Sequence, residues 1–305
     1  MDGKVNITLA GDLSKPATVL IEKISEAVGG AVRPWQTKRV ATAEGRAKII
    51  LAEAEAKSRQ ILESMEEIDP DLANRAIQRM VASEINKQLN IENITRIAIE
   101  KLSPNSAPDR IERDFLSNLF EKAANVSNQE MQSLWGSILA GEANSPGKFS
   151  KRTIELASHL ERRDAELFTR FSSCCAMFGS KLVALTTKTV ANIMEQGGIN
   201  FDRLTHLDSL GLITHNSLGG FRQKFTSANF PTTLLVHYFG IPVSLVFNAP
   251  PGEVAVGSVL LTEAGAQLAE ICGAECNLSL LDAFILDTVS DNISISSPWP
   301  RRGAS

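Results

Sequence analysis

The sequence predicts an α+β protein: a mainly helical N-terminal half, made of a long helical hairpin and a helical bundle, then a smaller winged-helix-like α+β domain. Three observations predict it. Residues 36–64 are dominated by Ala, Glu, Lys and Leu, with no proline and a single glycine, Gly45. Apolar residues then recur at helical spacing as far as Phe171. After Gly179 the helical runs shorten, and β-branched, glycine- and proline-containing stretches begin.

A chain of 305 residues is longer than one core usually serves, and 43% hydrophobic with 22% charged residues is the balance of an ordinary globular protein. The formal net charge of -4 gives no global pull toward nucleic acid or anionic lipid, so partners must be argued locally. Residues 1–12 lack the pattern of a signal peptide, and Glu22, Lys23 and Glu26 interrupt the most apolar stretch, 19–32. The expectation is a cytoplasmic protein without a transmembrane segment.

Residues 1–15 read as an extended arm or short strand, with Val5, Ile7 and Leu9 alternating with polar residues. A helical domain follows over 16–178. Ser14 and Pro16 signal its first helix, with Leu20, Ile24 and Val28 on one stripe. The helix of residues 36–64 carries a seam of Val40, Ala47, Ile50, Ala54 and Ile61, suited to another helix of the chain or to a second copy. Asp69-Pro70 breaks it, and a second long helix runs to about Leu102, completing an antiparallel hairpin. Ile111 to Phe120 form the apolar side of the next helix, ending near Val126. Ser127 and Glu130 fit a capping box before Met131, Leu134, Trp135 and Ile138. Ser150 caps the helix that buries Ile154 and Leu160, and Leu167, Phe168 and Phe171 lead into Cys174 and Cys175.

The winged-helix-like domain is placed at 179–290. Leu204, Leu207 and Leu210 form a short helix stopped by Gly211; Leu212–His215 is a strand, and Ser217–Gly220 a turn or wing. Strands are expected at 234–239, 241–247 and 254–261. Thr262 caps a helix over 263–271, a last helix spans 278–289, and residues 291–305 are a flexible tail.

No catalytic constellation is apparent. The sequence lacks a G-x-S-x-G elbow, a phosphate-binding G-x-x-x-x-G-K-[ST] loop and an H-E-x-x-H pair, and its histidines, 159, 206, 215 and 237, are scattered. The four cysteines, 174, 175, 272 and 276, fall in apolar helical patterns; adjacent helical cysteines diverge by about 100° and chelate poorly, so buried thiols are expected rather than a zinc site. No cofactor is expected. The candidate recognition helix 201–210 carries Asp202 and Asp208 against Arg203, which disfavours duplex DNA. Cations cluster instead at Arg33, Lys38, Arg39, Arg46 and Lys48, after an amphipathic segment. That arrangement suits a solvated helix, a peripheral membrane contact or nucleic acid.

The run Ser127–Trp135, then Leu139–Ala143, then Pro146–Thr153 resembles an uncharacterised bacterial family, domain of unknown function 2806. Asp12–Pro16 and the helix from Arg39 are similar to it too, which places the likeness in the first 180 residues or more. The stretch from Leu134-Trp135 to Phe168 also resembles the abortive-infection alpha proteins of phage defence. These resemblances imply no catalytic residues; they imply a bacterial accessory or defence role. Within the motif Trp135 reads as a core anchor, or, with Glu142, Lys151 and Arg152, as part of an interaction surface. The expected function is a non-enzymatic interaction or scaffold protein that self-associates or binds a protein partner. The alternative is a nucleic-acid-binding regulator using the basic segment 33–59.

Overall fold

The first helix, α1 (Lys15–Val28), starts where the sequence requires: Ser14 Oγ accepts from Ala17 N–H, Pro16 sits in the first turn, and Gly29 ends it at φ 72°. In the computed structural model residues 13–34, 69–224, 227 and 229–296 are described. The expected arm, the seam helix, and with it the first limb of the hairpin, lie outside them. The chain divides into two compact units, Met1–Lys148 and Phe149–Ser305.

In the N-terminal unit α2 (Pro70–Glu100) is a helix of 31 residues, about 46 Å long. Asp69 Oδ1 caps it through Asp71 N–H. A 3-10 turn (Pro108–Arg110) leads to α3 (Arg113–Ala123) and α4 (Gln129–Asn144). The cap of α4 is Asn128, one residue later than the Ser127 box predicts. Its Oδ1 accepts from both Glu130 and Met131 N–H at 3.0 Å, which a serine hydroxyl at position 127 is too early to reach. The second half of α2 packs on α4 at Gly136, where a Cβ would stand 2.5 Å from Ile97 Cγ2; only glycine lets the helices approach so closely. Leu20, Ile24, Ile94, Leu116, Leu119, Trp135 and Ile138 form the core.

The C-terminal unit begins some thirty residues before the change of texture at 179. Its first two helices, α5 (Lys151–His159) and α6 (Arg162–Ser172), are tied to later elements. Ser150 caps α5 through Thr153 N–H, and Thr153 Oγ1 donates to Gln267 Oε1 at 2.5 Å. Thr169 Oγ1 donates to Cys272 O. Such long-range bonds are invisible in local composition.

There follow β1 (Cys175–Phe178), β2 (Lys181–Ala184), α7 (Lys188–Gln196), α8 (Phe201–Ser209), β3 (Ile213–His215) and β4 (Phe221–Lys224). Next come β5 (Thr232–Tyr238), β6 (Ile241–Phe247), β7 (Glu253–Gly257), β8 (Val259–Leu261), α9 (Glu263–Ala269), α10 (Leu278–Thr288) and β9 (Ile293–Ser296). The fold is therefore α+β, with an antiparallel sheet in the order β2-β1-β5-β6-β9 and the pairs β3-β8 and β4-β7. In β6 Val243, Leu245 and Phe247 are buried in alternation, as a strand with one covered face demands. Phe239 and Gly240 both have positive φ in the two-residue turn joining β5 to β6, the geometry that matches strand twist in a hairpin.

The structure departs from three further expectations. The expected strand 254–261 is two strands, because at Gly257 (φ 100°) the backbone turns and passes Thr186 too closely for any Cβ, 1.8 Å from its oxygen. The start of the presumed tail is β9, held by its ladder to β6 with Leu245 opposite Ile295. The cysteines are not helical: Cys175 opens β1, Cys174 precedes it in a turn, and Cys272 and Cys276 lie between α9 and α10.

Candidate functional site

In the C-terminal unit the best-defined polar pair joins α6 to α8. His206 Nε2 lies 2.8 Å from Asp164 Oδ1, and the other carboxylate oxygen accepts from Glu161 N–H at 3.0 Å. The Asp164 side chain is 6% exposed and that of His206 45%. Both carboxylate oxygens are thus committed to holding helix ends, and no serine or cysteine is hydrogen-bonded to the histidine ring among the described residues. The arrangement orients an imidazole without supplying it a nucleophile.

On the same unit Arg222 and Lys224 both face Glu253, at 3.1 and 3.8 Å. The cations that a wing would offer to phosphate are partly neutralised. Phe201 and His215 meet edge to face at 5.4 Å, and Phe201 and Leu218 are exposed apolar side chains at this end.

Cys174, Cys175 and Cys276, from two chain segments, lie around Tyr238, and Cys272 lies near Cys175. The Tyr238 hydroxyl donates to Ser173 O at 2.6 Å, has Asn277 O at 3.0 Å, and accepts from Asn277 N–H. The neighbours of Cys174 and Cys276 are therefore bound to one oxygen atom. A hydrogen bond with the Cys174 thiol, together with burial, raises the Cys175 thiol well above its ordinary range. Burial also raises Cys276 and the Tyr238 phenol. Thiols held protonated are poor nucleophiles and poor metal ligands. Among the described residues no group of three or more His, Cys, Asp or Glu side chains could hold a metal ion.

In the N-terminal unit Trp135 is fully buried and its indole Nε1 has no hydrogen-bond partner. Glu142 is also interior, and its Oε1 accepts from Gly147 N–H at 2.6 Å, closing the turn after α4. Both side chains lie in the interior, as the core-anchor reading of Trp135 has it and as the alternative, an interaction surface with Glu142, does not. Lys151 and Arg152 are exposed on the first turn of α5 in the other unit. Arg33 is exposed, with its backbone N–H on Glu92 Oε1. Lys38, Arg39, Arg46 and Lys48, with the seam residues Val40, Ala47, Ile50, Ala54 and Ile61, lie outside the described residues.

Lys101, just after α2, donates to Ser137 Oγ at 2.5 Å, and burial lowers its pKa against the opposing charge of Glu100. Ser137 spends its own proton on Ser133 O. Its oxygen is therefore an acceptor, and the pair is a tether between α2 and α4 rather than an activated serine.

The site that sequence reasoning missed is an open polar groove of about 390 Å³ between α2 and the turn joining α3 to α4. Arg79, Ser83, Asn86, Lys87 and Asn90 line it from α2, and Asn125 from the turn. The signal was present as polar residues at i, i+4, i+7, i+8 and i+11, one helix face that stays hydrophilic. At its floor Asn90, 7% exposed, donates to Ala124 O at 2.8 Å and accepts from Gln132 Nε2 at 2.9 Å. Gln132 also donates to Val126 O, so the turn is pinned against α2 by a buried amide network.

These features define an α+β protein of two units, with structural polar pairs in the second and a hydrophilic groove in the first. The chain belongs to the family described as Protein of unknown function (DUF2806), whose model matches residues 74–284. No curated protein and no solved structure matches the chain. The matched range includes the motif of residues 127–153 and reaches into α10. It begins after Asp12–Pro16 and Arg39, so the likeness extends further along the chain than the first 180 residues and starts later.

Proposed function

We propose that this is a non-enzymatic interaction protein that self-associates through its long helices and offers its C-terminal unit to a protein partner. The observation that carries the reading is an apolar ridge on the first half of α2. Leu72, Ala76 and Met80 recur at i, i+4 and i+8, and Leu72 and Met80 are 55% and 60% exposed. Half-buried Ile77, Val81 and Ile85 form the adjacent row. Contiguous exposed apolar rows on a long helix are the usual substrate of helix–helix association.

The order α6, α7, α8, β3, β8, with a turn after β3, supports a winged-helix-like C-terminal unit. The partial neutralisation of its cations by Glu253 favours a protein partner over duplex DNA. No helix among the described residues is long and apolar enough to cross a membrane, which is consistent with the cytoplasmic placement proposed here. The resemblance to abortive-infection alpha proteins suggests bacterial antiphage defence as the setting.

The test is absolute mass by light scattering after gel filtration, at low and high salt, with the 260 to 280 nm absorbance ratio recorded. A salt-resistant oligomer free of nucleic acid supports the reading. A strict monomer at micromolar concentration sinks it. A monomer carrying nucleic acid that salt strips away would install the alternative, binding through residues 33–59, because counterion release makes such complexes salt-labile.

A further inference from the structure

The groove on the N-terminal unit has a chemistry that helix packing does not require. Asn90, at its floor, and Gln132, bonded to Asn90, account for themselves by pinning the turn, but the groups above them do not. Arg79 makes no hydrogen bond or ion pair with any described residue. Asn86 and Asn125 line the same space without a described hydrogen bond. The second amide proton of Asn90 likewise has no described partner, although that residue is nine-tenths buried. Lys87 is paired to Glu84 at 2.7 Å, yet its partner lies off the groove and is largely exposed, which leaves the ammonium within reach of a stronger anion.

The lining selects a ligand class. Two cations stand at one groove with no carboxylate in the lining among the described residues, which fits an anion; arginine's fork fits phosphate in particular. The volume is near the lower end of small-molecule pockets, roughly 300 to 1,000 Å³. No aromatic ring lines it, so a nucleobase would find nothing to stack on; Ala82 and Ala124 are its apolar contribution. The amides of Asn86, Asn90 and Asn125 and the hydroxyl of Ser83 instead offer both donors and acceptors, which is what vicinal hydroxyls need.

We propose that this groove binds a small phosphorylated polyol of the sugar-phosphate class, with Arg79 and Lys87 on the phosphate and the asparagine amides on the hydroxyls. The site is independent of the self-association reading and survives its failure.

The experiment is isothermal titration of the full chain with ribose 5-phosphate, and with ribose and inorganic phosphate separately. Arg79→Gln and Lys87→Gln change exposed or half-exposed side chains, so circular dichroism can verify that both variants fold. The expected result is binding of ribose 5-phosphate at least about tenfold tighter than inorganic phosphate, with each variant losing about tenfold, the worth of one charge-assisted hydrogen bond. Absence of binding at millimolar concentration overturns the proposal. So does affinity unchanged in the double variant, or inorganic phosphate binding as tightly as the sugar phosphate.

Discussion

Asp287 caps a helix to which it does not belong: its carboxylate, on α10, accepts from both the N–H and the hydroxyl of Thr189, on α7, at 2.7 and 2.6 Å. Burial alone would raise this carboxyl. The hydrogen bonds from Thr189, with the charge of Lys188, outweigh burial and hold it below its ordinary value. A carboxyl whose pKa is depressed by folding stabilises the fold above its unfolded pKa, about 3.9, and loses that contribution as pH falls through the folded value. Asp287→Ala should therefore cost about 1 kcal/mol at pH 7, in the range of a lost cap. Urea melts of both proteins should converge as the pH is lowered below about 4.

At Gly257 the outcome depends on contact more than on φ. Gly257 and Gly240 share positive φ, 100° and 82°, but a Cβ at Gly257 would lie 1.8 Å from Thr186 O, while at Gly240 nothing stands within 4 Å. Gly257→Ala should cost about 3 kcal/mol or more, and Gly240→Ala only about 1 kcal/mol. Thermal melts of the two variants compare them directly.

Gly136→Ala should destabilise the N-terminal unit by about 2 kcal/mol, since the new methyl meets Ile97 at 2.5 Å and that β-branched side chain has little freedom to yield. In an Ile97→Ala background the same change should cost less, about 1 kcal/mol, since the Cγ2 contact is gone while the Cβ contact at 2.8 Å remains. The coupling in a double-mutant cycle should be about 1 kcal/mol.

Asp164 serves two partners and His206 one. Asp164→Ala should cost about 2–3 kcal/mol, since it strands the Glu161 N–H and the imidazole together; His206→Ala should cost about 1 kcal/mol. The double variant should be little worse than Asp164→Ala alone, which chemical denaturation would show.

Replacing Leu72 and Met80 by glutamate should leave the far-ultraviolet circular dichroism unchanged, because both side chains are exposed on α2. The apparent dissociation constant of the proposed oligomer should rise by at least about tenfold, measured by light scattering across a dilution series.

Local signals were enough for several helix starts. Ser14, Asp69, Ser150 and Thr262 each cap the helix that follows them, because a cap is a contact over two or three residues and is written in the sequence beside it. Where two good caps were adjacent, Ser127 and Asn128, the pattern favoured the wrong one. The alternation in β6 and the apolar stripe of α1 were equally legible, since each reflects one buried face.

Local patterns alone placed the chain in the α+β class and located most of its described helices, and they held no familiar catalytic motif; β1, β2, α7 and β9 left no such signal. Which residues separated by long stretches of chain would meet was settled by packing. It drew α5 and α6 into the C-terminal unit through Gln267, His206 and Cys272, and brought Asp287 to the start of α7. It placed Trp135 and Glu142 inside, and it turned five polar residues of one helix face into the wall of a groove. The physical reason is range: caps and periodicity act over a few residues, while burial and cross-chain hydrogen bonds depend on what the rest of the chain places opposite.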